Sequence, residues 1–326
     1  MKVTVLGAGA WGTALAKMLG EAGHAVTLWG HNPARLEEVQ RTGRNERYLP
    51  GVELPRNWAF ESNVRNAVVG SEFVIAAMPS KAFREVTGEL ADFAGIVVSV
   101  TKGIEHETGL TMCGVLAETA PRATPAALSG PTFAQEVARR VPTACVAASE
   151  DPTAATAVQE LFHGPAFRVY TSTDLTGVEL GGALKNVIAI AAGVCDGLGF
   201  GDSSKAALIT RAMAEVRRLG VACSAQPETF SGLSGLGDLT VTCFSKQSRN
   251  RGFGERLGKG GKLSEVLAGM ITVVEGHPTA RSAYFLAQKK KVLTPVIDEV
   301  YRMLYEGKNL AKGVRDLMSR ESKPED

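Results

Sequence analysis

The chain has 326 residues, with 36 Lys and Arg against 34 Asp and Glu, 44% hydrophobic residues and 6% aromatics. That apolar content excludes a disordered chain, and a net charge of +2 excludes a nucleic-acid binder that works by bulk electrostatics. A chain of this length buries ~75% of its unfolded surface, and it favours two domains because single cores stop growing near ~250 to 300 residues. The cysteines Cys113, Cys145, Cys195, Cys223 and Cys243 are odd in number and widely spaced, so reduced structural thiols and no metal site are expected.

The first half carries short, continuous apolar runs of the kind that form strands buried on both faces of a parallel sheet. They are KVTVL (Lys2–Leu6), AVTLW (Ala25–Trp29), FVIAAM (73–78), IVVSV (96–100), AALSG (126–130) and TACVAA (Thr143–Ala148). ALAKML, between the first two, has helical period, which completes one βαβ unit. Glycines 7, 9 and 12 would break the helix of a signal peptide. After Tyr170, TSTDL reads as a helix cap, followed by one long apolar helix over 174–196 and another over 205–219. The charge-free apolar stretch at 187–195 is too short to span a bilayer, which takes ~20 residues, so no transmembrane helix is expected. Two Gly-rich loops, 231–239 and 251–262, are expected to interrupt the helices, and the polar tail 319–326 to fray. The fold class is therefore α/β: a Rossmann-like doubly wound sheet over 1–172, then an all-helical domain over 173–326.

GAGAWG follows a strand and opens a helix. Gly7 permits the tight turn, Gly9 lets the backbone approach a pyrophosphate, Gly12 lets helix and strand pack closely, and the helix N-terminus supplies donors. Trp11 either shields the phosphates or simply packs. The second strand ends in Gly30, His31 and Asn32, with no acid before Glu37. Nothing there repels a 2′-phosphate, so NADP is favoured with NAD also usable; His31 is the nearest side chain and Arg35 the nearest certain cation.

Lys185 stands inside GGALKNVIAIAAG. It either snorkels to the surface or lies in a pocket where desolvation and a second cation bring it into general-base range, and Gly181, Gly182 and Ala183 leave room for such a pocket. Lys102 in TKG and the turn SGPTFA (129–134) both fall at carboxyl ends of strands, where open α/β sheets bind ligands. Arg249, Asn250 and Arg251 are either a phosphoryl cradle or a solvated basic loop.

GAGAWGTALA, NERYLPG from Asn45, TKGIE from Thr101, LSGPTFAQEV from Leu128, ELGGALKNVIAIAAG from Glu179, GLGDL from Gly235, SRNRGFG from Ser248 and VVEG from Val273 together resemble the bacterial NAD(P)-dependent glycerol-3-phosphate dehydrogenases, over nearly the whole chain except the tail. The resemblance implies reversible hydride transfer between NAD(P)H and dihydroxyacetone phosphate, giving sn-glycerol 3-phosphate for phospholipid synthesis in the cytoplasm. It implies Lys185 as proton acceptor. It also implies Lys102, Gly130, Thr132, Asp238, Ser248, Arg249 and Asn250 as substrate contacts. Cofactor contacts would be Gly7, Gly9, Trp11, Gly12, His31, Tyr48, Lys102, Ala134, Arg249, Val273 and Glu275. Thr132 stands where the family usually has Ser, and His31 and Asn32 where many members have a basic pair. The implied partners are small molecules, with no nucleic acid, and a homodimer is compatible. The rivals are a hydroxy-acid dehydrogenase of the 6-phosphogluconate kind, which spaces Lys and Asn four apart rather than adjacent, and a nucleotide sensor, which would have lost Lys185 or Lys102.

Overall fold

The computed structural model describes residues 1–270, 272–321 and 324, so residues 322, 323, 325 and 326 of the expected frayed tail lie outside the described residues. Among the described residues eight strands form one sheet in the order β3-β2-β1-β4-β5-β6-β7-β8. They are β1 (Lys2–Leu6), β2 (Ala25–Trp29), β3 (Ala59–Glu61), β4 (Phe73–Ala76), β5 (Ile96–Ser99), β6 (Thr124–Ser129), β7 (Thr143–Ala148) and β8 (Phe167–Ser172). The helices between them are α1 (Ala10–Glu21), α2 (Pro33–Thr42), α3 (Val64–Ala67), α4 (Ser80–Gly88), α5 (Met112–Thr119), α6 (Ala134–Ala138) and α7 (Pro152–Phe162). Chain order reverses at β1, which pairs parallel with both β2 and β4. The crevice at the carboxyl ends of β1 and β4 is therefore the switch point where such sheets bind ligands.

The expected all-parallel sheet needs one correction: β7 runs antiparallel to β6, with Leu128 opposite Ala147, before β8 pairs parallel with β7. Two strands were absent from the sequence reading. β3 is three residues long at the sheet edge, and β8 carries the TS of the expected cap. Asp174 alone does the capping, accepting from Gly177 N at 2.9 Å.

From there the chain is helical: α8 (Leu175–Gly197), α9 (Asp202–Ala222), α10 (Asp238–Phe244), α11 (Arg249–Gly258), α12 (Leu263–Ala268), α13 (Gly276–Lys290), α14 (Pro295–Tyr305) and α15 (Leu310–Met318). α8 is buried on nearly every face because the sheet and the other helices enclose it. It is long and apolar enough to cross a membrane, but 94% of its most apolar window is buried inside the protein. Its first turn packs Leu175 and Val178 on the sheet, while the rest forms the helical core. Farther along that turn Glu179 accepts from the Cys113 amide at the start of α5, 2.9 Å away, and burial raises its pKa.

Most of the two expected loops is helical as well. Residues 233–237 form one π turn leading into α10, and 249–258 form α11. The glycines there serve close approach: a Cβ on Gly254 would lie 2.0 Å from the Ile190 carbonyl oxygen, and one on Gly193 1.9 Å from that of Arg251. The backbones of α8 and α11 thus touch, and this packing overrides the poor helix propensity of glycine. The contact fixes the first turn of α11 relative to Lys185 on α8.

Candidate active site

The glycine loop is shaped by its own backbone. Gly7 has φ +130, and a Cβ there would meet the Ala77 carbonyl oxygen at 2.6 Å; one on Gly12 would meet the Gly7 oxygen at 1.9 Å. Gly9 differs, since a Cβ would meet nothing within 4 Å. The space over Gly9 is the room a pyrophosphate takes at the N-terminus of α1, so these residues fit a dinucleotide. Gly9, with φ −80 and ψ −176, has a backbone that alanine adopts freely. Gly9→Ala should therefore keep the wild-type melting temperature and lose NADPH affinity by about tenfold or more, the added methyl filling ligand space. Gly12→Ala should lose stability and binding together, and thermal melts beside NADPH titrations separate the two.

Trp11, half-buried in the first turn of α1, packs against the core of the nucleotide-binding half. His31 is exposed, whereas Tyr48 is half-buried and its hydroxyl accepts from Arg35 Nη1 at 2.8 Å.

Four elements meet at the sheet's carboxyl edge: the turn after β5, the turn after β6, α8 and α10. Lys102 Nζ donates to the Gly130 carbonyl at 3.1 Å and to Asp238 Oδ2 at 2.5 Å. Lys185 Nζ donates to Asp238 Oδ1 and to Thr242 Oγ1, each at 2.7 Å. Asp238, 1% exposed, thus bridges two ammonium groups. Burial pushes its pKa up, but Lys102 and Lys185 outweigh this and hold it below the usual carboxylate range. Burial, opposed by Asp238 and reinforced by Lys102, brings Lys185 down to about 8. An ammonium has three protons, and each lysine uses two, so one N–H from each is left for a third oxygen. Thr132 Oγ1 lies 3.4 Å from the same Gly130 carbonyl, and Ala134 begins α6 just beyond.

On the other side stands the first turn of α11. Ser248 caps it, accepting from Arg251 N at 3.2 Å. Asn250 is buried with its carboxamide engaged, Nδ2 donating to Asn186 Oδ1 and Oδ1 accepting from Gly276 N, both at 2.9 Å. Arg249 is exposed, and its Nη1 donates to the Val273 carbonyl at 3.3 Å. Arg251 points away: its Nε pairs with Asp196 at 2.7 Å, off the hydrogen-bonding direction, and its Nη1 with Glu255 at 3.2 Å. Glu275 crosses between the two halves, accepting from Ser80 N at 3.2 Å and Ser80 Oγ at 2.6 Å.

Sequence reasoning missed Thr242 and Ser80. Thr242 was detectable, because its i+4 spacing from Asp238 puts both on one face of α10. Ser80 carries no such signal, lying 195 positions from its partner.

Fold and site together define the class: a two-part, dinucleotide-binding oxidoreductase with a Rossmann-type sheet and a helical domain, whose candidate site draws residues from both. Residues 2–155 match the family model described as NAD-dependent glycerol-3-phosphate dehydrogenase N-terminus, and 174–315 the model of the corresponding C-terminus. The chain belongs to the NAD-dependent glycerol-3-phosphate dehydrogenase family. It is 48% identical to a glycerol-3-phosphate dehydrogenase [NAD(P)+] of Geobacter sulfurreducens, over 99% of this chain and 98% of that one. It is 46% identical to one of Chlorobium phaeobacteroides, over 100% and 99%. The crystal structure of glycerol-3-phosphate dehydrogenase from Coxiella burnetii superposes with a TM-score of 0.94 at 37% identity, covering 98% of this chain and 99% of that one.

Proposed function

We propose that the chain catalyses the reversible NAD(P)H-linked reduction of dihydroxyacetone phosphate to sn-glycerol 3-phosphate. The observation that carries this reading is the Asp238 carboxylate bridging Lys102 and Lys185. A bound nicotinamide supplies or accepts the hydride; the side chains manage one proton and one phosphate. In reduction the Lys185 ammonium donates a proton to the oxygen on C2 while Lys102 polarises that oxygen. In oxidation neutral Lys185 takes the hydroxyl proton, and its pKa of about 8 makes both forms accessible near physiological pH. Asp238 and Thr242 hold the Lys185 amine in place.

The charges suit a phosphomonoester dianion. Lys102 and Lys185 against Asp238 leave one surplus positive charge, and Arg249, beside Glu275, brings a guanidinium to the same site. The Arg249 guanidinium and the amides opening α11 would take the phosphate. Ser248 caps that turn, and Asn250 ties it to Asn186, next to the base. Binding of the phosphate then orients C2 against the nicotinamide. A homodimer, a cytoplasmic location and supply of the phospholipid glycerol backbone belong to the same proposal.

Purified protein with NADPH should lose absorbance at 340 nm on addition of dihydroxyacetone phosphate. No loss with NADPH or NADH, from folded protein that still binds nucleotide, would identify a sensor instead. A faster loss with an unphosphorylated 2-keto acid would identify a hydroxy-acid dehydrogenase.

A further inference from the structure

We infer that Arg35, held by Tyr48, is the residue that reads the cofactor's 2′-phosphate and makes the chain prefer NADPH. The inference rests on the dinucleotide site proposed above. Asn32 caps α2 by accepting from Arg35 N at 3.1 Å, which places Arg35 in the first turn of the helix that follows β2. Its guanidinium turns to the Tyr48 hydroxyl. Tyr48 in turn belongs to a turn closed by Asn45, whose carbonyl accepts from Tyr48 N at 3.2 Å and Leu49 N at 2.8 Å. The buried Asn45 side chain donates to the Ala8 carbonyl at 3.0 Å and to Thr13 Oγ1 at 2.8 Å. This chain of bonds fixes the guanidinium relative to the glycine loop, whose pyrophosphate would set where the adenosine ribose lies.

The surroundings carry matching charge. Arg47 sits 5.6 Å from the Tyr48 ring centroid and adds a second cation. Glu61, at the end of the neighbouring β3, turns its carboxylate onto the Ser62 and Asn63 amides, at 2.8 and 2.9 Å, instead of onto Arg35. With Nη1 engaged by a neutral hydroxyl, Nη2 and Nε of Arg35 remain for a phosphate fork, and the fork is pre-aimed. Exposed His31, by contrast, has nothing to fix its direction.

The test is calorimetric binding of adenosine 2′,5′-bisphosphate against 5′-AMP, ligands that differ by the 2′-phosphate alone, with NADPH and NADH alongside. Arg35→Ala should weaken the bisphosphate and NADPH by roughly 10- to 100-fold, and 5′-AMP and NADH by less than about 2-fold. Should that variant not fold, Arg35→Gln is expected to give the same selective loss. The wild-type preference should stay level from about pH 7 to 9, because guanidinium keeps its charge there and the 2′-phosphate is already a dianion. Equal losses for both ligands, no loss, or a selective loss in His31→Ala in place of Arg35→Ala would overturn the assignment. None of these outcomes depends on turnover, so they stand apart from the fate of the proposed reaction.

Discussion

Lys185→Ala should lower kcat by ~10²- to 10⁴-fold, the usual contribution of a positioned acid or base, while NADPH affinity stays near wild type. The split follows from position. Lys185 lies on α8 in the helical half, and its bonds run to Asp238 and Thr242, not to the glycine loop. The variant should fold, since Asp238 keeps Lys102 as its counter-ion and no buried charge is stranded. Single-turnover rates and NADPH titrations check it. A variant with more than half the wild-type rate, or with equal losses in rate and cofactor affinity, would make Lys185 a structural residue.

The second large effect is expected at Arg249. Arg249→Ala should raise KM for dihydroxyacetone phosphate by about 10- to 100-fold more than for dihydroxyacetone, because a charge-assisted bond to phosphate contributes on the order of 1.5 to 3 kcal/mol. Arg251 cannot substitute for it, since Asp196 and Glu255 occupy its guanidinium. Equal loss for both substrates would show that Arg249 does not hold the phosphate.

The sequence showed the strands where β-branched and aliphatic residues run together: β1, β2 and β7 have the bounds those runs suggested. It hid β3, whose three residues are too few to stand out at a sheet edge. It hid the reversed direction of β7 as well, because residue pattern records burial, not polarity of the chain. The Gly-rich segment after Arg249 misled for a physical reason. Glycine signals a loop locally, but Gly193 and Gly254 are small so that two helix backbones can touch, and that partner is distant in sequence. Lys185 was visible as a cation in an apolar run, while the role of Asp238 came only through the family resemblance. Its function depends on burial between two lysines that lie 136 and 53 positions away. The Glu275–Ser80 contact has the same character, formed wholly by tertiary placement.

The central claim is that Lys185, with a pKa of about 8, gives and takes the substrate proton. It is tested most directly by kcat/KM in both directions on one preparation, from about pH 6.5 to 9.5. Oxidation of glycerol 3-phosphate needs the neutral amine, so it should rise with pH and level off above about 8. Reduction of dihydroxyacetone phosphate needs the ammonium, so it should be level and then fall above the same pH. A shared break near pH 8 is the predicted result; oxidation climbing without a break across the whole range would contradict it.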